Sequence, residues 1–304
     1  MTVYKPSQGR YQIETHGLQG IGEDQMRDHK ATRLAEDFIF LEGAKWRDGQ
    51  LWVSDVFDHK VYRLGLNGAR EKVVDVPNRP SGLGFLPDGT PIVASSKDFR
   101  LYKIIGNQIQ EYADLTAHVG GDVNDFTIDS AGRIYVGNFG YDYDAGAPVV
   151  ETVLHRVDPD GSVHIAAEGI EFPNAMVLIN DGRTLVVSET WRGRLTAFDR
   201  SPNGQLSGKR TFADIGPRQP DGICADAEGA IWTGCFNTGE FVRVKDGGEI
   251  TDRIVFDGCG VACTLGGPTG HTLFCTVYCG PVSDLIAARR KAAVFTLEVA
   301  IGAA

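Results

Sequence analysis

Four oxygen-bearing side chains, Glu42, Asn124, Asn174 and Asp221, stand at matching places in a chain of 304 residues. Eight residues separate Asn124 from Gly132, Asn174 from Gly182 and Asp221 from Gly229; seven separate Glu42 from Gly49, where the turn is shorter by one. If the intervals reflect a repeated unit, these side chains meet on one axis. Two carboxylates and two carboxamides gathered in a partly desolvated cleft would cost several kcal/mol unless a cation neutralised them. All four donate oxygen and none is His or Cys, which favours a hard cation, one divalent ion with Ca²⁺ first and Mg²⁺, Mn²⁺ or Zn²⁺ behind it. The alternative is that Asn and Asp serve as ordinary turn residues bonding their own backbone. That suits any one of them, but not four at one repeated position.

The elements that must position them form a repeat. The turn glycines are Gly49, Gly89, Gly132, Gly182, Gly229 and Gly270, spaced by 40, 43, 50, 47 and 41 residues. Each precedes an apolar strand: QLWVSD, TPIVAS, RIYVGN, RTLVVS, AIWTGC and HTLFCT. The clearest copy is PNAMVLINDGRTLVVSE (173–189), two apolar runs joined by Asn-Asp-Gly, a strong hairpin signal because Gly takes positive φ without strain. A third strand follows in every unit and a fourth in five of them. A period of about 40 to 50 residues is that of four-stranded propeller blades. The sixth unit lacks a fourth strand, while ATRLAEDFIF (31–40) precedes the first unit unassigned. Lending that strand to the last blade closes the ring and removes an open edge. The expectation is an all-β, six-bladed β-propeller in one domain over 31–304, with 1–30 an arm or lead-in. In such a ring the inner strands begin at Glu42, Ser81, Asn124, Asn174, Asp221 and Ala262.

The net charge of −10 argues against nucleic acid or an anionic membrane as partner. The longest basic run, Arg289-Arg290-Lys291, is expected on a solvated helix face. No apolar run is long enough to span a bilayer and the N-terminus lacks a signal-peptide apolar region, so a cytoplasmic protein is expected. Six cysteines crowd the last two units without a CxxC pair, which reads as free thiols behaving as small hydrophobes.

The blocks LEGAKW, VNDFTIDSAGRIYVGNF, FPNAMVLINDGRTLVVSET, PDGICADAEGAIW and CGVACTLGGPTGHTLF resemble, in order, the gluconolactonase/regucalcin family of six-bladed propellers over about residues 35–299. The resemblance implies a divalent metal at the channel mouth on Glu42, Asn174 and Asp221, with Asn124 as a nearby ligand or substrate contact. It implies hydrolysis of sugar lactones or related esters; relatives cleave organophosphates. Two departures stand out. Where sugar lactonases of the family carry an Arg that grips hydroxyls, this chain has Asp122, and the usual PNG block reads PNA with Ala175. The first puts gluconolactone itself in doubt.

On this reading the metal polarises a lactone carbonyl and Asp221 is the base that activates water, with a metal-bound hydroxide as the competing nucleophile. No GxSxG motif supplies a serine nucleophile, and Ser81 is expected as a pocket hydroxyl. Phe139, Tyr141, Tyr143 and Trp191, in loops after the second strands of the third and fourth units, would wall the cavity for a small-molecule lactone or ester. Two other functions remain open: attack on an organophosphate or another electrophile in the same cavity, and a non-enzymatic calcium-binding propeller.

Overall fold

The computed structural model describes residues 27–28 and 30–303. Alternating apolar runs and Gly-centred turns give six blades of four antiparallel strands, the fifth extended at its edge by one short parallel strand; the innermost strands are Leu41–Arg47, Pro80–Phe85, Val123–Ile128, Pro173–Ile179, Pro220–Ala225 and Cys259–Gly266. Each inner strand packs on the next and the sixth on the first, so the ring closes as a β-propeller. In the Pro173–Ile179 hairpin the turn takes positive φ at Asn180, Asp181 and Gly182 in succession, the geometry that the Asn-Asp-Gly sequence favours.

The last blade takes its outer strand from the N-terminal side. Thr32–Phe38 runs antiparallel to Ala292–Glu298, from Thr32 opposite Thr296 to Phe38 opposite Ala292. This is the closure expected from the missing fourth strand, and it covers an edge that would otherwise invite pairing with another chain. The arm expected over 1–30 lies mostly outside the described residues; within it, Arg27–Asp28 pairs in parallel with Asp252 and Arg253 at the edge of the fifth blade. The expected basic helix is one short segment, Val282–Ile286. The basic run Arg289-Arg290-Lys291 lies beyond its end and is exposed, as expected; Arg290 also donates to the Asp37 carbonyl at 2.9 Å and to the Asp58 carboxylate at 3.3 Å, tying the last blade to the first.

The core lies between blades, because the middle strands are apolar on both faces. Val186 and Leu195 of the fourth blade, for example, meet Ile223, Ile231 and Val242 of the fifth. Such packing fixes each blade against its neighbours and thereby the six inner strands about the axis.

Candidate active site at the channel mouth

All six inner strands carry a β-bulge at the same place. Their pairing registers shift between Glu42 and Lys45, Pro80 and Leu83, Val123 and Phe126, Pro173 and Met176, Pro220 and Ile223, and Gly260 and Cys263. A bulge re-aims side chains, and each of these spans the position picked out by turn spacing. Small residues let the bulged backbones approach: a Cβ on Gly43 would stand 2.4 Å from the Ser81 carbonyl oxygen, and one on Gly222 would stand 2.5 Å from Ala262 Cα.

Side-chain hydrogen bonds stitch one blade to the next around this ring. Ser81 Oγ lies 3.1 Å from the Asn124 carbonyl oxygen, Asn124 Nδ2 donates to the Pro173 carbonyl at 3.3 Å, Thr190 Oγ1 donates to the Pro220 carbonyl at 2.8 Å, and Thr276 Oγ lies 3.0 Å from the Leu41 carbonyl. The Ser81 hydroxyl is therefore engaged with backbone and, among the described residues, meets no histidine of the kind that activates a nucleophile.

Two buried oxygens on the ring have no hydrogen-bond partner among the described residues, Asn174 Oδ1 and Asp221 Oδ1. Asn174 uses its Nδ2 on Thr190 Oγ1 at 3.3 Å, which commits the other side of the amide to the orphan oxygen. Burial, with the added repulsion of Asp125, holds the Asp221 carboxyl well above the usual carboxylate range, against a smaller opposing pull from the Asn174 amide. Glu42 keeps some exposure to the mouth, yet desolvation and the charges of Asp221 and Asp125 raise it well above its ordinary value too. Asp125 is raised chiefly by burial. The positive charge acting on Glu42 and Asp125 is that of Lys45, whose Nζ is 4.0 Å from Asp125 Oδ2. Three carboxylates against one ammonium leave two negative charges uncompensated, the charge of one divalent cation. Among the described residues no three His, Cys, Asp or Glu side chains converge as a metal site, so a bound ion would need the carboxamide oxygens as well. The residues present fit a hard divalent ion: the donors are oxygen, two are buried and unpaired, and the local charge is negative.

Asp125 was not among the residues singled out in the sequence. The signal that could have found it is the missing glycine: Gly43, Gly82 and Gly222 follow the ring residue in their blades, whereas Asp125 follows Asn124. Gly82 makes room for it, since a Cβ there would lie 2.5 Å from Asp125 Oδ1.

The aromatic residues group beside Asn174. Phe139 stacks on Phe172 with centroids 4.2 Å apart, Phe172 packs on Trp191 at 4.8 Å, Tyr143 lies 5.7 Å from Phe139, and Trp191 Nε1 donates to Tyr141 Oη at 2.8 Å. Phe172, another residue the sequence reading passed over, is the hub, and its φ of 46° is uncommon for a bulky side chain. Asp122 is buried and accepts from Lys97 Nζ, 2.7 Å from its Oδ2.

A family model described as "SMP-30/Gluconolactonase/LRE-like region" matches residues 40–278. The chain belongs to this family. Its SMP-30/gluconolactonase-like sequence is 26% identical to regucalcin of Danio rerio over 204 residues, covering 65% of this chain and 68% of that protein. It is 24% identical to regucalcin of Xenopus laevis over 263 residues, 83% of this chain and 87% of the relative. Among solved structures, a calcium-binding protein, regucalcin, from Agrobacterium tumefaciens superposes with a TM-score of 0.78 at 21% identity, over 92% of this chain and 97% of that one. A gluconolactonase from Xanthomonas campestris gives 0.74 at 20% identity, over 89% and 90%. These likenesses establish the six-bladed propeller of the SMP-30/gluconolactonase family for this chain.

Proposed function

We propose that this chain is a metal-dependent hydrolase that opens a lactone or cyclic ester, with Asp221 activating the attacking water. Membership in the gluconolactonase-like family supports lactone hydrolysis. The observation that carries the metal dependence is the pair of buried oxygens without a partner among the described residues, Asn174 Oδ1 and Asp221 Oδ1, beside Glu42, Asp125 and the one lysine that acts on them, Lys45. Glu42, Asn174 and Asp221 would hold the ion, with Asn124 beside them, and Ca²⁺ suits this oxygen donor set. When bound, a divalent cation supplies electrostatic stabilisation for the charge that develops on a carbonyl oxygen.

The chain's own residues do the rest. Asp221, held ionised by that compensation, accepts a hydrogen bond from water and takes its proton as the carbonyl is attacked; the proton then goes to the departing ring oxygen. Asn124 is fixed by the Pro173 carbonyl and presents an amide edge to the substrate. The Phe139, Tyr141, Tyr143, Phe172 and Trp191 group excludes water on one side and suits an apolar ring face. Asp122 is a carboxylate and so offers no guanidinium to a polyol, and it is itself paired with Lys97. The substrate on this reading is a lactone other than, or broader than, gluconolactone. Free thiols at all six cysteines suit a reducing compartment, the cytoplasm, and among the described residues no helix is long and apolar enough to cross a membrane.

The test is a panel of lactones and esters assayed before and after chelation. The expected result is ring opening that is lost on chelation and restored by Ca²⁺. Turnover untouched by chelation removes the metal dependence, and no turnover on any member removes the enzyme.

A further inference from the structure

Outside the ring of carboxylates the mouth holds two cations that the proposed reaction does not use. Arg79 immediately precedes the inner strand that carries Ser81, and Lys97 follows the second strand of the same blade, Pro91–Ser95. Both reach across to the third blade. Lys97 Nζ lies 2.7 Å from Asp122 Oδ2 and 2.8 Å from Asp144 Oδ2, and Arg79 Nη1 donates to the same Asp144 oxygen at 3.0 Å. Arg79 also lies over the Phe57 ring, 4.9 Å from its centroid, which fixes the guanidinium plane.

The two carboxylates differ in kind. Asp122 is buried, two residues before Asn124, and belongs to the frame. Asp144 sits at the tip of an exposed turn beyond the aromatic residues, its side chain 48% exposed. The turn closes on itself, with Ala145 N donating to Asp142 Oδ1 and Ala147 N to the Asp142 carbonyl, both at 3.0 Å. Among the described residues, what ties the Asp144 carboxylate to the second blade is its ion pairs with Arg79 and Lys97, and half-exposed ion pairs are weakly held. If the turn swings out, Asp122 neutralises one of the two cations and one positive charge is left over, with a guanidinium and an ammonium aimed at one point. That arrangement recognises a carboxylate.

We infer that Arg79 and Lys97 form an anion subsite at the channel mouth, filled in this structure by the protein's own Asp144, and that it receives a carboxylate carried on the substrate ring. The preferred substrate is then an acidic lactone, with the ring carbonyl toward Asn174 and Asp221 and the carboxylate toward Arg79. The identity of the ring rests on the lactone-hydrolase reading; the anion does not.

Two measurements separate the two. The first compares kcat/KM for 5-oxotetrahydrofuran-2-carboxylate with that for γ-valerolactone, which carries a methyl group in place of the carboxylate. The acidic lactone should be preferred by roughly tenfold or more, the scale of a charge-assisted hydrogen-bonded contact, and Arg79→Gln or Lys97→Met should erase the preference. The second follows binding of tetrahydrofuran-2-carboxylate, which has no ester to open, by ligand-observed NMR. Arg79→Gln should weaken it and Asp144→Ala should tighten it several-fold, because the internal competitor is gone. Lys97→Met leaves Asp122 unpaired and can unfold the blade, so Asp144→Ala is the deciding variant. Tightening in Asp144→Ala with no lactone opened keeps the subsite and removes the lactonase. Lactone opening without preference for the acid, or unchanged or weaker carboxylate binding in Asp144→Ala, overturns the subsite.

Discussion

Two sets of buried carboxylates in this molecule behave in opposite ways. Within and between the blades, Asp129, Glu189 and Glu240 are 4%, 0% and 2% exposed, and each is met by two arginines: Arg133 and Arg200, Arg192 and Arg194, and Arg218 and Arg253 respectively. Burial alone would raise all three, yet hydrogen bonds and the guanidinium charges bring each below its ordinary value. At the mouth, Asp125 and Asp221 are buried to the same degree, 5% and 4% exposed, and both are raised. Among the described residues, neither of them pairs with an arginine. The difference separates carboxylates that hold the fold from carboxylates that, on the proposed reading, are kept for a cation and a water.

The largest expected effect comes from breaking a structural pair. Arg243 Nε donates to Asp226 at 2.6 Å with both side chains buried. Arg243→Met should lower the unfolding free energy by about 3–5 kcal/mol, the usual cost of stranding one buried charge, read by denaturant titration. Asp221→Asn should do the reverse in metal-free protein, leaving stability unchanged or higher, because it removes a charge that nothing there offsets. Its cost should fall on catalysis, with turnover down roughly 10²-fold or more, the scale of losing a general base, and metal partly retained. If Asp221→Asn keeps both metal and full activity, the residue is a ligand and not the base.

A smaller effect is expected where the mouth leans on a neighbour. Gly82→Ala sets a methyl 2.5 Å from Asp125 Oδ1, which should cost about 1–3 kcal/mol as overpacking and weaken cation binding by displacing that carboxylate. An unperturbed variant would mean that Asp125 has no fixed place. The smallest effect concerns pH. Asp129, Glu189 and Glu240 have folded values below their unfolded ones, so their contribution is complete above about pH 4 and is lost as pH falls through the lowered folded values. Glu240→Gln should flatten part of that acid slope, by about 1 kcal/mol or more, in denaturation curves taken between about pH 2 and 6. A slope identical to wild type would contradict the pairing.

The propeller was legible because its punctuation is local. Gly182 and its five equivalents mark the hairpins, and the missing sixth outer strand pointed to Thr32–Phe38, whose pairing with Ala292–Glu298 follows from edge closure alone. The ring positions could be counted back from those glycines, since the inner strands have nearly one length. Asp125 was not legible, because strict alternation turns it to the face opposite Asn124, and only the bulge between Val123 and Phe126 lets it act on Glu42 and Asp221. Phe172 reads as the end of one strand, although it links the aromatic loops of two blades. The pairing of Lys97 with Asp122 and Asp144 joins separate blades, and charge pairing across blades leaves no trace in the spacing of either partner.

The central claim is that the mouth carboxylates await one divalent cation. Calorimetric titration of chelator-treated protein with Ca²⁺, wild type beside Glu42→Ala and Asp221→Ala, tests it most directly. The account predicts one ion per chain in the wild type and affinity lowered roughly tenfold or more in both variants, at least the scale seen when residues supporting a metal site are removed. No saturable binding in the wild type, or the same stoichiometry and affinity in all three proteins, would contradict it.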